Sequence, residues 1–248
     1  AWSPDGETIA VSGMDGGISD LYLVDVASGT ARQLTDDRFG DLQPAWSPDG
    51  EQIAFVTDRG PDGTDFSTLR YGQPRLALLD VTSRAITPLR PVDGGLQHNP
   101  QFAPDGRGLY FISDHDGFKD VHYVDLDTRR TTPVTHLQTG ASGFTALSPA
   151  MTVAAQSGRM MFTVFADNEY AVVALTPDEL VARRTGAPTA DATAPAGPMM
   201  LDSLSVDTLA ADTTEVDTTD SDTTSAGGFA DPRPALAGML PPWTGPGV

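Results

Sequence analysis

The side chains best suited to metal or acid–base chemistry in this chain are four histidines, His98, His115, His122 and His136. They are separated along the sequence, and a metal site would need them to converge. The reading is therefore that they are surface and turn residues, with no metal. Asp114-His115-Asp116-Gly117 places alternating carboxylates before a glycine, which superficially resembles a calcium loop. No distal glutamate ligand completes the pattern, and Asp-Gly between strands is what a tight turn requires. That segment is read as a turn. The chain has no Gly-x-Ser-x-Gly nucleophile elbow, no His-Glu-x-x-His pair and no phosphate-binding Gly-x-x-x-x-Gly-Lys loop. With no cysteine, disulfides, thiolate zinc sites and cysteine nucleophiles are excluded. No catalytic residue, metal or cofactor is expected.

Charge narrows the partners further. Aspartate and glutamate number 34 against 15 lysines and arginines, a net charge of −19. Such a surface repels phosphate backbones and anionic membranes, so nucleic acid is not a partner class. No run of about 18 apolar residues exists to span a membrane as a helix.

The elements that would hold any site are set by an internal repeat. Trp2-Ser3-Pro4-Asp5-Gly6 recurs as Trp46-Ser47-Pro48-Asp49-Gly50 and as Phe102-Ala103-Pro104-Asp105-Gly106, at intervals of about 45 residues or somewhat more. Leu147-Ser148-Pro149 is read as a worn fourth copy. Pro at the second turn position presets φ, and Gly at the fourth tolerates a left-handed exit. β-rich runs follow each turn: Thr8 to Ser12, Gln52 to Thr57 and Gly108 to Ser113, then Asp20 to Val26, Arg75 to Val81 and Asp120 to Leu126, then Ala31 to Thr35, Ala85 to Leu89 and Thr131 to Thr135. Four short strands per unit make a propeller blade. A shared aspartate, Asp25, Asp80 and Asp125, stands near the end of the second of these runs in each unit and is assigned to an Asx turn. The aromatic residues Trp2, Trp46 and Phe102 share one position and are expected to pack between blades. In the fourth unit, Met151 to Ala155, Arg159 to Val164 and Tyr170 to Leu175 read as strands.

The apolar-Ser-Pro-Asp-Gly turn, the Ile53-Ala54-Phe55 strand, and Asp20-Leu21-Tyr22-Leu23-Val24-Asp25 resemble the repeats of the TolB-like β-propeller family. Ser113 to Gly117 followed by Asp120 to Asp125 resembles the same consensus. The resemblance covers residues 1–176. It implies an all-β fold, a β-propeller of four-stranded antiparallel blades, with about four blades present as a fragment of a larger ring. It also implies a periplasmic or otherwise extracytoplasmic location, and a non-catalytic scaffold that binds a protein or peptide of the cell envelope. The same repeat occurs in propellers of prolyl-oligopeptidase-type and tricorn-type peptidases, and in multidomain outer-membrane-associated proteins. Those are the alternatives.

One stretch departs from the repeat. Arg59 to Pro74 is an insertion carrying Phe66, Leu69, Arg70 and Tyr71; aromatic and arginine residues are over-represented at interface hot spots, and loops concentrate function. These four are the candidate binding residues. Beyond the repeats, residues 177–185 read as a short helix or connector with Thr176 as its cap. Residues 186–248 read as a disordered, acidic Thr/Asp/Pro-rich tail or linker, with a docking peptide around Met239 to Trp243 as the sharper alternative.

Overall fold

A computed structural model describes residues 1–60, 63–145, 147–166 and 168–185. The tail from residue 186 onward, with the segment Met239 to Trp243, lies outside the described residues.

The described residues form four antiparallel sheets in chain order. The first holds β1 (Thr8–Asp15), β2 (Ile18–Asp25) and β3 (Ala31–Gln33), with Trp2 bridging to Ile9 where an innermost strand belongs. The second holds β4 (Asp41–Trp46), β5 (Gln52–Thr57), β6 (Arg75–Asp80) and β7 (Ile86–Pro88). The third holds β8 (Gln97–Phe102), β9 (Gly108–Ser113), β10 (Asp120–Asp125) and β11 (Thr131–Pro133). The fourth holds β12 (Met151–Val153), β13 (Met160–Ala166) and β14 (Glu169–Leu175), followed by α1 (Pro177–Thr185). Each sheet pairs its strands in sequence order, as propeller blades do.

Burial explains why some strands read as continuous apolar runs. A blade in the middle of the row is covered on both faces. Ile53 and Phe55 of β5 pack on Ala10, Leu21 and Leu23 of the first blade. Ala54 and Val56, pointing the other way, pack with Phe102, Leu109 and Phe111 of the third. Tyr110 and Ile112 of β9 then meet Met160, Phe162 and Val173 of the fourth. Fully burying side chains such as Phe55 and Phe111 contributes about 2–3 kcal/mol each. In β13 and β14 the pattern becomes alternating: Phe162 and Val173 are buried, while Phe165, Tyr170 and Val172 are exposed. The aromatic at the repeated position packs on the preceding blade. Phe102 is buried and Trp46 half-buried in this way, whereas Trp2, with no described strand on that side, is 61% exposed.

The repeated turns close as their residue types demand. Gly6 and Gly50 donate to the Ser3 and Ser47 carbonyls at 3.0 Å, with φ of +75° at both glycines. The Asp5 carboxylate accepts from the Ser3 hydroxyl and the Glu7 amide, and Asp49 does the same with Ser47 and Glu51. At the same end of each blade, in the outer hairpin beside these turns, the Asp25, Asp80 and Asp125 carboxylates accept the amides of Ser28, Ser83 and Thr128 at 2.7 Å, the expected Asx turns.

The fourth blade corrects one reading. Leu147-Ser148-Pro149 is not the turn between the first two strands, because it precedes β12. That turn is Ala154 to Gly158, in which Gly158 donates to the Ala154 carbonyl with φ of +68°. Position confirms the equivalence. Gly50 sits against Pro4 and Gly106 against Pro48, each a glycine on the proline of the preceding blade's turn; Gly158 sits against Pro104. Ser-Pro alone mimicked the motif, while the working turn kept only its glycine. α1 replaces the fourth strand of this blade. Its Thr176 hydroxyl and Glu179 carboxylate cap each other reciprocally, and Leu180 is buried against the third blade. Arg184 pairs with Asp105 at 3.2 Å and lies over the Tyr123 ring.

Candidate interaction surface

Antiparallel order puts the Ser-Pro-Asp-Gly turns at one end of the blades. The β5–β6 and β9–β10 loops, and the linkers between blades, lie at the other. The candidate insertion, Arg59 to Pro74, is the β5–β6 loop, and Asp114 to Lys119 is the β9–β10 loop at the corresponding place one blade on. Both are tied to the linker that enters their own blade. The Asp58 carboxylate accepts the Gly40 amide at 2.8 Å, and the Asp114 carboxylate accepts the Leu96 amide at 2.7 Å. This repeated aspartate escaped the sequence reading because its partner is 18 residues upstream.

The base of the insertion is a buried charge cluster. The Arg59 guanidinium donates to both Asp41 carboxylate oxygens at 2.7 and 2.5 Å, to Asp37 at 2.8 Å and to the Thr57 hydroxyl at 2.9 Å. It also faces the Phe39 and Phe55 rings. Burial pushes the Asp41 carboxyl up, against the opposing pull of Arg59 and of the Thr57 and Thr35 hydroxyls. The Thr64 hydroxyl donates to Asp58 and accepts from the Gly72 amide, closing the neck of the loop. Above it, Asp65 and Arg70 exchange backbone hydrogen bonds at 2.8 and 3.1 Å. The Asp65 carboxylate binds the Ser67 amide and the Ser67 and Thr68 hydroxyls, which lowers its pKa to about 2.

The four candidate residues separate into two groups. Phe66 is half-buried: its ring packs edge-on against Phe39 at 5.4 Å, with Arg38 over its face at 5.0 Å. Leu69 and Tyr71 are 73% and 80% exposed, with Arg70 exposed between them. Leu69 holds a left-handed φ of +54°, at the tip of the turn. The loop is thus a stapled platform presenting Leu69, Arg70 and Tyr71 to solvent, with Phe66 as its inner anchor.

The neighbouring loop brings together residues that the sequence reading kept apart. The potential ligand atoms of His115, Asp116 and His122 lie within 4.8 Å of one another. His115 and Asp116 come from the β9–β10 loop, and His122 from β10, pairing across the sheet with Phe111 and stacked on its ring. The two imidazoles meet edge to face at 4.7 Å between centroids. Burial lowers the His122 pKa to about 4, the largest effect, aided by the charge of His115. His98, on β8, is buried with neither ring nitrogen hydrogen-bonded, and its pKa is also lowered to about 4, chiefly by burial. The signal that could have found the cluster is strand register: His122 follows the loop by only a few residues, on a strand that runs back from it.

Fold and turns define a β-propeller chain, and its repeats are similar to those of TolB. A family model described as the TolB beta propeller domain matches residues 1–64. The solved structure of a putative TolB from Agrobacterium tumefaciens is 26% identical, with a TM-score of 0.55 over 72% of this chain and 60% of that one. The uncharacterized peptidase YuxL of Bacillus subtilis is 32% identical over 44% of this chain, and dipeptidyl-peptidase 5 of Porphyromonas gingivalis 28% identical over 61%. This chain spans 20% and 22% of the length of those two curated relatives.

Proposed function

We propose that this chain is a non-catalytic protein-binding scaffold of the bacterial cell envelope, on the extracytoplasmic side, and that the rim loop Arg59 to Pro74 makes its contact with a protein partner. The observation that carries this is the stapled loop displaying Leu69, Arg70 and Tyr71. A pre-ordered loop loses little entropy on binding, so its exposed aromatic and arginine can act as anchors. TolB-type repeats support the envelope setting. Among the described residues no helix is long and apolar enough to cross a membrane.

The matches to YuxL and dipeptidyl-peptidase 5 favour a second reading, in which the propeller serves a peptidase and the rim faces that enzyme's catalytic domain. One experiment separates the two. A photo-crosslinking residue is placed at position 71, and at Thr128 on the opposite end as control, in the natural full-length protein expressed in its own cell. Adducts to a separate envelope protein, weakened about thirtyfold in affinity by Tyr71→Ala, support the scaffold; the factor corresponds to a 2 kcal/mol hot spot. Crosslinks only to a hydrolase domain of the same polypeptide support the second reading. Labelling at 71 no stronger than at 128 overturns both.

A further inference from the structure

We infer that His115, Asp116 and His122 form a binding site for one divalent transition cation of the zinc type. Three ligand atoms already lie within 4.8 Å of one another, which small side-chain rotations convert to the closer spacing of a shared metal. The division of labour suits that movement. His115 and Asp116 are exposed on the loop, while His122 is buried. The Asp120 carbonyl lies 3.0 Å from His122 Nδ1. A carbonyl can only accept, so Nδ1 carries the hydrogen and Nε2 keeps the lone pair for a metal. Orienting a histidine ligand through its other nitrogen is how metal sites are commonly braced. The Phe111 ring, stacked on His122 at 5.5 Å, holds the plane.

The loop is braced as well. The Asp114 carboxylate ties it to the Leu96 amide, and the His115 backbone packs on Gly95 so closely that a side chain there would meet His115 Cα at 2.6 Å. Two imidazoles and one carboxylate select zinc, cobalt or nickel over the all-oxygen preference of calcium and magnesium. Three protein ligands leave at least one position for water or for a donor group of a partner. Because this loop and Arg59 to Pro74 occupy corresponding places on adjacent blades, a bound cation would add positive charge to the rim of a chain whose net charge is −19.

The test is cobalt titration of the untagged chain, read by visible d–d absorption, followed by zinc competition against a chromophoric chelator. One equivalent per chain is expected. His115→Ala and Asp116→Asn, both exposed and so tolerated by the fold, each weaken zinc binding by at least about tenfold, since loss of a mere supporting partner already costs that much. His136→Ala leaves it unchanged. In ¹⁵N-detected imidazole spectra, zinc shifts His115 and His122 Nε2. Absence of saturable one-to-one binding, equal affinity in wild type and both variants, or zinc shifts at His136 and His98 instead, overturns the site.

Discussion

Arg59→Ala should destabilise this propeller more than any other exchange in the rim loop, and the loss should shrink in acid. Asp41 is 0% exposed, and its carboxylate takes two of the guanidinium's hydrogen bonds. Removing the cation leaves a buried charge with only hydroxyl partners, which costs about 3–5 kcal/mol. For a protein of this size, urea unfolding slopes of about 2–3 kcal/mol per molar are expected, so the midpoint falls by roughly 1–2 M. The pH dependence follows from Asp41, whose folded pKa already lies above its ordinary 3.8. Between those values the folded state binds more protons than the unfolded one, so this group's contribution to stability is lost as pH rises through the window. Without Arg59 the main downward pull disappears, the carboxyl rises further, and the window extends toward neutrality. Urea unfolding of wild type and variant, followed by circular dichroism at pH 7 and pH 4, checks this. A loss under about 1 kcal/mol at pH 7, or an equal difference between the two proteins at both pH values, refutes the reasoning.

Asn99 anchors the innermost strands. It holds a φ of +53° and its side-chain oxygen accepts the Ala150 and Met151 amides at 2.8 Å, just as the Gln43 side chain, itself at φ +53°, accepts the Asn99 amide. Asn99→Ala should lose about 2–4 kcal/mol through two unsatisfied donors and left-handed strain; Asn99→Gly, which relieves the strain alone, should fall between, and equal denaturation midpoints for the two would contradict this. His98, with a folded pKa of about 4 against 6.5, binds fewer protons folded than unfolded between those values, so stability drops as pH falls from 6.5 to 4. The full swing is about 3 kcal/mol. His98→Leu should flatten that part of the stability–pH curve by about half, the remainder belonging to His122, and an unchanged curve would mean His98 is hydrated in solution.

Much of the fold was legible because its determinants are local. Ser-Pro-Asp-Gly closes on itself within four residues, Asx turns reach three residues on, and the strand runs carry their own β propensity, so β5 and β9 coincide with the runs read from the sequence and β6 and β10 end one residue short of them. The start of α1 was equally plain from Thr176 as its cap, while the answering bond from Glu179 appears only in the structure. The insertion stood out because it breaks a period. What local chemistry misread was the fourth blade: Leu147-Ser148-Pro149 copies the letters of the turn, but only packing against Pro104 reveals that Gly158 holds the position. The site divides in the same way. That Phe66, Leu69, Arg70 and Tyr71 sit on a surface loop was readable from composition, whereas the inward turn of Phe66 onto Phe39 and the outward display of the other three appear only once the loop is seated over Arg59, which bonds Asp41 at the start of β4 and Asp37 in the linker before it. His115, Asp116 and His122 meet only because an antiparallel hairpin folds β10 back beneath its own loop. A sequence specifies residue types and near-neighbour hydrogen bonds; which distant side chains share a few ångströms is settled by strand register and blade packing, where the free energy belongs to the assembled sheets rather than to any segment.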